Sequence, residues 1–164
     1  MGDLRAIRVR AALPMDTVAI ARVWHQGWHV GHAAALPWLI PLRPLAAFEI
    51  KASGVLGRCL VAETDDGEVV GFVAWDGAEL GQLFIVLPRL GDGLGRFLLA
   101  AAEGAMRASG VDEANLTCVV GNERARAFYL RHGWVECGTE DYPACAGDRM
   151  LPVQVWRLTK PLSA

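Results

Sequence analysis

Polar and apolar positions alternate near both ends of the chain and recur at helical spacing in between. "AIRVRAA" alternates and predicts a first strand. In "MDTVAIARVWHQGW", Val18, Ala21, Val23, Trp24 and Trp28 trace a helical stripe, with Asp16 as candidate N-cap. "VGHAAALPWLIPLRP" carries Pro37, Pro41 and Pro44 and is expected to be irregular. "LAAFEIKAS" predicts a short helix stopped by Gly54. "RCLVAET", "DDG" and "EVVGFVAWDG" read as strand, turn and strand of a hairpin, and "AELGQLFIVL" as a further strand. A helix is expected over Leu94–Ser109, where Leu94, Phe97, Leu98, Ala101, Ala105 and Ala108 recur near the 3.6 period before Gly110. "EANLTCVV" is a strand, and "NERARAFYLRHG" a helix with Asn122 at its cap and Gly133 just past its end. "WVECGTE" and "VQVWRLTK" predict two closing strands around a loop, "DYPACAGDRMLP".

No internal repeat or linker divides this order, so the expectation is one domain over residues 1–164, an α/β (mixed α+β) fold with a central mixed sheet covered by helices. A length of 164 residues suits a single core. With 53% hydrophobic and 21% charged residues the chain reads as globular. Sixteen basic against eighteen acidic residues leave a formal charge of −2, which argues against a nucleic-acid partner. No apolar run reaches the roughly 18 to 20 residues of a membrane span, so no membrane partner is expected. "MGDLRAIRVR" lacks an apolar leader core, and Ala6 stands where an N-terminal lipidation pattern needs Ser or Thr. Cys59, Cys118, Cys137 and Cys145 show neither C-x-x-C nor zinc-finger spacing and read as reduced thiols of a cytoplasmic protein.

The candidate chemistry begins in "PRLGDGLGRFLL", where Gly91, Gly93 and Gly95 lead into a helix. The Walker pattern is absent, because Arg96 and Phe97 follow the last glycine. A dinucleotide fingerprint needs G-x-G-x-x-G early in a βαβ unit, and the spacing here is G-x-G-x-G after several strands. Two readings stay open on these residues alone. The glycines make a tight strand-to-helix turn, or they let the amides of Leu90–Arg96 converge on an anion at a helix N-terminus, with Arg89 and Arg96 adding charge.

The surrounding residues resemble a known family. "ELGQLFIVLPRLGDGLGRFLL" is similar to the cofactor motif of the GNAT superfamily of N-acetyltransferases, an acidic residue followed by L-x-x-L-Y-V-x-P-x-x-[QR]-G-x-G-x-G. Glu79, Leu83-Phe84-Ile85 and the three glycines fall in place. Pro88 comes one residue late, and Leu90 replaces the usual Gln or Arg. "NERARAFYLRHGW" is similar to the family's later pattern N-x-x-A-x-x-F-Y-x-x-x-G-[FW] at Asn122, Ala125, Phe128, Tyr129, Gly133 and Trp134. Ala11 to Leu56 agrees in element order without a diagnostic motif.

The resemblance implies a sheet of about seven mostly antiparallel strands flanked by about four helices. It implies acetyl-CoA as cosubstrate, no metal, and an N-acetyltransferase acting on a small-molecule or peptide amine by direct attack. A protein N-terminal acetyltransferase and a non-catalytic acyl-CoA sensor are the alternatives. It assigns Phe84, Ile85 and Val86 to the acetyl and pantetheine portions, and Leu90, Gly91, Asp92, Gly93, Leu94, Gly95 and Arg96 to the diphosphate. Asn122 serves the cofactor arm or caps its helix. Tyr129 occupies the general-acid position, and Glu79 is the leading candidate base, ahead of Asp76, Glu140 and Asp141. Trp28, His29, Trp38 and Tyr142 are expected to wall the acceptor site. His25 and His29 lie at i, i+4, near His32, but no carboxylate accompanies them in a metal pattern. A homodimer through the apolar "VQVWRL" strand is a further expectation.

Overall fold

A computed structural model of the protein describes residues 6–163; the Met1–Arg5 opening, read above for a leader, lies outside them. Seven strands, β1 (Ile7–Ala11), β2 (Cys59–Thr64), β3 (Val69–Asp76), β4 (Glu79–Ile85), β5 (Glu113–Val119), β6 (Val135–Ala146) and β7 (Arg149–Pro161), form one sheet in the order β1-β2-β3-β4-β5-β7-β6. Four α-helices accompany it, α1 (Thr17–His32), α2 (Leu45–Val55), α3 (Leu94–Ala108) and α4 (Glu123–Arg131). Every strand pairing is antiparallel except β4 with β5. This is the expected mixed α/β architecture. Among the described residues no helix is long and apolar enough to cross a membrane.

Strand alternation sends successive side chains to opposite faces, and each face is covered by helices. On one face Leu94, Leu98, Leu99, Ala102 and Met106 of α3 pack on Val70, Val73, Leu80, Leu116 and Leu158. On the other, Ile20, Ala21, Trp24 and Trp28 of α1 and Phe48 and Ala52 of α2 pack on Val61, Phe72 and Ala74. The buried stripe of α3 therefore runs one step around the helix from the expected one: Phe97 is exposed, while Leu99, Ala102 and Met106 are inside. Val18 likewise faces solvent. Trp134 donates its indole N–H to Glu103 at 3.0 Å, and Lys160 Nζ reaches both Glu103 oxygens at 3.0 and 2.9 Å. That pair ties α3 to β7.

Three local expectations are corrected. Asp16 precedes α1 but makes no side-chain cap bond. Its carboxylate accepts two bonds from Arg10, at 2.7 and 2.9 Å, and one from the Leu13 amide at 2.7 Å. A charge-assisted bidentate pair outcompetes a cap, and the Arg10 guanidinium holds the Asp16 carboxyl below its ordinary pKa. Gly54 does not stop α2, which runs to Val55 and tightens into a 3-10 turn at Leu56–Arg58. The expected loop "DYPACAGDRMLP" is mostly a hairpin, with Ala146 opposite Arg149 across a tight turn at Gly147. Pro143 and Pro152 face each other there, past Val119–Val155, the last pair of β5 with β7. Neither proline is thus required to bond a third strand, which is why the strands tolerate them. β7 lies between β5 and β6, so the apolar residues Val153, Val155 and Leu158 of "VQVWRL" are buried within the chain itself.

Candidate active site

The parallel neighbours β4 and β5 share one register pair, Glu79 with Asn115. Asn115 closes that end, donating its amide to Ala78 O at 2.8 Å and its side-chain Nδ2 to the same oxygen at 3.3 Å. Beyond it the strands separate. Val86 N–H bonds Val70 O of β3 at 2.9 Å. Amides alternate in direction along a strand, so those of Leu83 and Ile85 turn toward β5, across the gap. Phe84 projects to the α1 face, where its ring lies 6.0 Å from that of Phe72. Ile85 packs on the α3 face, and Val86 touches both apolar clusters.

Past β4 the chain makes a 3-10 turn at Leu87–Arg89 and enters α3 through the glycine loop. Gly91 and Gly93 hold φ of +85° and +93°, the left-handed region that disfavours any side chain. Asp92 accepts the Leu94 amide at 3.2 Å and lies 3.8 Å from Arg89. Among the described residues the amides of Gly91, Asp92, Gly93, Gly95 and Arg96 make no backbone hydrogen bond. They form a ready cradle for an anion at the N-terminus of α3. Gly95 packs closely: a Cβ there would lie 3.1 Å from Ile85 Cδ1 and 3.3 Å from Phe128 Cε2. Leu94 is fully buried, and Leu90 and Arg96 are exposed.

The gap opens on a cavity of about 550 Å³. Its walls include Gln82, Leu83 and Phe84 of β4, Thr117 to Val119 of β5, Asn122 and Tyr129 near and on α4, Trp28 and His32 of α1, and Tyr142 to Cys145 of the β6–β7 hairpin. Asn122 Oδ1 accepts the Ala125 amide at 3.4 Å, a cap that leaves its Nδ2 unused among the described residues. Tyr129 makes edge contacts with Phe128 and Trp134, and its hydroxyl has no partner among the described residues. Burial, with Cys118 adding to it, pushes the phenol well above its ordinary pKa, so it stays protonated at neutral pH. Burial also pushes the Cys118 thiol up to about 11, which keeps this neighbour neutral.

Of the carboxylates considered as bases, Glu79 and Asp76 line the cavity. Asp76 pairs with Arg58 at 3.5 Å, and Glu140, outside the lining, pairs with Arg157. Asp141 is exposed on β6. Glu79 alone of the four lines the cavity without a cationic partner among the described residues. Of the expected acceptor walls, Trp28 and Tyr142 line the cavity; His29 and Trp38 do not. His29 Nδ1 bonds His25 O at 2.6 Å, and Trp38 is exposed. Among the described residues no group of three His, Cys, Asp or Glu side chains is placed to hold a metal. Sequence reasoning missed His32, Arg43 and Lys51, which line the same space. Arg43 follows an aperiodic, proline-rich segment, so only the folded chain reveals its direction.

The Acetyltransferase (GNAT) family profile matches residues 20–134. No curated protein matches the sequence significantly. Among solved structures, the GCN5-related N-acetyltransferase from Rhodopseudomonas palustris is 21% identical with a TM-score of 0.74, over 94% of each chain. The paia N-acetyltransferase from Thermoplasma acidophilum, in complex with coenzyme A, is 18% identical with a TM-score of 0.66, over 94% of this chain and 98% of its own. The yncA structure from Salmonella typhimurium, with acetyl-CoA, is 17% identical with a TM-score of 0.70, over 96% and 95%. At such identities these three show the shared fold.

Proposed function

Since the chain belongs to the GNAT acetyltransferase family, we propose that it acts as a single 1–164 domain, transferring the acetyl group of acetyl-CoA to the amine of a small molecule or peptide in the cytoplasm. The observation that carries this reading is a set of three features along one stretch of chain: a glycine cradle of free amides after β4, a gap between β4 and β5, and a cavity lined by Glu79 and Tyr129.

Acetyl-CoA supplies an acetyl group already activated as a thioester. Within the Leu90–Arg96 loop the free amides of Gly91, Asp92, Gly93, Gly95 and Arg96 would hold its diphosphate, with Arg96 adding charge, while those of Leu90 and Leu94 are already bonded to Leu87 O and Asp92 Oδ1. Phe84, Ile85 and Val86 would receive the pantetheine and acetyl portions along β4, where an amide turned toward the gap can polarise a carbonyl oxygen. Asn122 has a free Nδ2 to bond the arm from the other side. An alkylamine is mostly protonated at neutral pH, with a pKa near ~10. Glu79 takes that proton, directly or through water, and frees the nitrogen lone pair to attack. As the carbon–sulfur bond breaks, Tyr129 donates its hydroxyl hydrogen to the departing sulfur. A phenol whose pKa burial has raised serves first as a hydrogen-bond donor to the thiolate. The ammonium's first proton stays with Glu79 and leaves to solvent, and the second, shed by the nitrogen after attack, reaches the sulfur by way of the Tyr129 hydroxyl, which ends protonated.

Release of free thiol from acetyl-CoA with a panel of amines tests the reading. Amine-dependent release is expected. Tight acetyl-CoA binding with no release for any acceptor would favour the sensing role over catalysis. Glu79→Gln is expected to lower turnover most at low pH, where free amine is scarce, and to leave acetyl-CoA affinity nearly unchanged. A pH–rate profile superimposable on the parent's would remove Glu79 as base.

A further inference from the structure

The acceptor end of the cavity carries positive charge that the chain leaves unanswered. Arg43, just before α2, is 9% exposed. Its Nε donates to Cys145 O at 3.1 Å, and its guanidinium carbon stands 4.9 Å from the centre of the Trp28 ring. Lys51, half-buried on α2, holds Nζ 5.6 Å from the centre of the Phe48 ring. Both side chains line the cavity. Among the described residues, neither Lys51 Nζ nor the terminal nitrogens of Arg43 has a hydrogen-bond or ion-pair partner, and no unpaired side-chain nitrogen is sealed from accessible space. These nitrogens therefore keep accessible surface, on two side chains that line the cavity.

The rest of the lining does not offset them. Arg58 and Asp76 answer each other at 3.5 Å, and Glu79 stands at the start of β4. Burial lowers the pKa of both Arg43 and Lys51, and for Lys51 the neighbouring Arg43 lowers it further. Two cations brought together in a partly dry wall cost free energy unless an anion joins them. A cavity with cations at one wall and a lone carboxylate at another also sorts the ends of a zwitterion. The cations repel an ammonium, and Glu79 attracts it.

We propose that the acetyl acceptor is a small amine that also carries an anionic oxyacid group, a carboxylate or a phosphonate, which Arg43 and Lys51 receive while Glu79 draws the amine toward β4. This inference rests on the acetyltransfer reading and narrows its acceptor class. Trp28, with Arg43 over its ring and His32 stacked on it at 4.7 Å, holds the anion-binding wall in place. Arg43 offers a planar fork matched to two oxygens, and Lys51 a second point charge.

The test compares kcat/KM for matched pairs that differ in the anion: L-amino acids and β-alanine against their carboxamides, and aminomethylphosphonate against methylamine. The anionic member is expected to win by about 10- to 100-fold, the range of a hydrogen bond to a charged group. Lys51→Gln should collapse that ratio through the acceptor KM, without raising the KM for acetyl-CoA. Lys51→Glu should turn the preference toward a diamine such as cadaverine. Arg43→Gln should act in the same direction, and because it also loses the bond to Cys145 O, its melting temperature is measured alongside. Equal rates for both members of every pair, or variants that alter only acetyl-CoA binding, would overturn the inference and leave acetyltransfer standing. If no amine releases thiol, the acetyltransfer reading fails separately. Calorimetric titration of the same anionic amines into the coenzyme A-loaded protein then decides the inference: binding that Lys51→Gln abolishes supports it, and no binding overturns it.

Discussion

A folded Gly93→Glu protein is expected to bind acetyl-CoA at least about 100-fold more weakly than the parent. Two effects act together. Gly93 sits at φ +93°, where a side chain costs roughly 1–2 kcal/mol. The added carboxylate also stands at the mouth of the amide cradle, where a phosphate would sit. Like charges about 5 Å apart repel by roughly 3 kcal/mol at the effective dielectric of a protein surface, enough for that loss in affinity. Gly93→Gln shares the bulk and the backbone strain without the charge, so its affinity should fall between the two. Calorimetry on all three proteins, with melting temperatures to confirm folding, checks the placement. Parent-like affinity in folded Gly93→Glu would remove the diphosphate from this loop.

Tyr129→Phe is expected to lower kcat at least ~10-fold with acetyl-CoA affinity retained, the low end allowing water to stand in for a general acid worth about 10²- to 10⁴-fold. The substitution keeps the ring that packs on Phe128 and Trp134 and removes only the hydroxyl. That hydroxyl has no partner among the described residues, so the fold loses no internal bond. Because burial raises the phenol's pKa, the group stays protonated through neutral pH, and its ionisation should not appear in the parent's pH–rate profile below about pH 10. A kcat within about twofold of the parent at saturating acceptor would make Tyr129 a packing residue only.

The elements around the proposed cofactor site are legible in the sequence because their signals are local. The glycine spacing before α3, the Asn122 cap of α4 and Gly133 after it each express a backbone requirement within a few residues. The β6–β7 hairpin is not legible, since Pro143 and Pro152 read as loop residues until the sheet shows that β5 ends before reaching them. Asp16 reads as a cap until Arg10, on a different element, claims its carboxylate. Phe97 fits the period of α3 and is exposed, because periodicity fixes which residues share a face and not which face meets the sheet. The acceptor side is the least legible. Arg43 and Lys51 come to line one cavity only through the packing of α2 beside α1 and the hairpin, and no spacing in the chain announces that cavity.

Sharing a single backbone pair makes the β4–β5 seam the weakest line of the sheet. A sheet passes cooperativity from strand to strand through its ladder, and here the ladder is almost cut between β1–β4 and β5–β7. What joins the two blocks is side-chain packing, chiefly α3, whose buried residues touch strands on both sides of the seam. The protein is in this sense two plates held together by side chains. Any molecule that seats along the seam acts as a brace between the plates, and the fold gains stability in step with its occupancy.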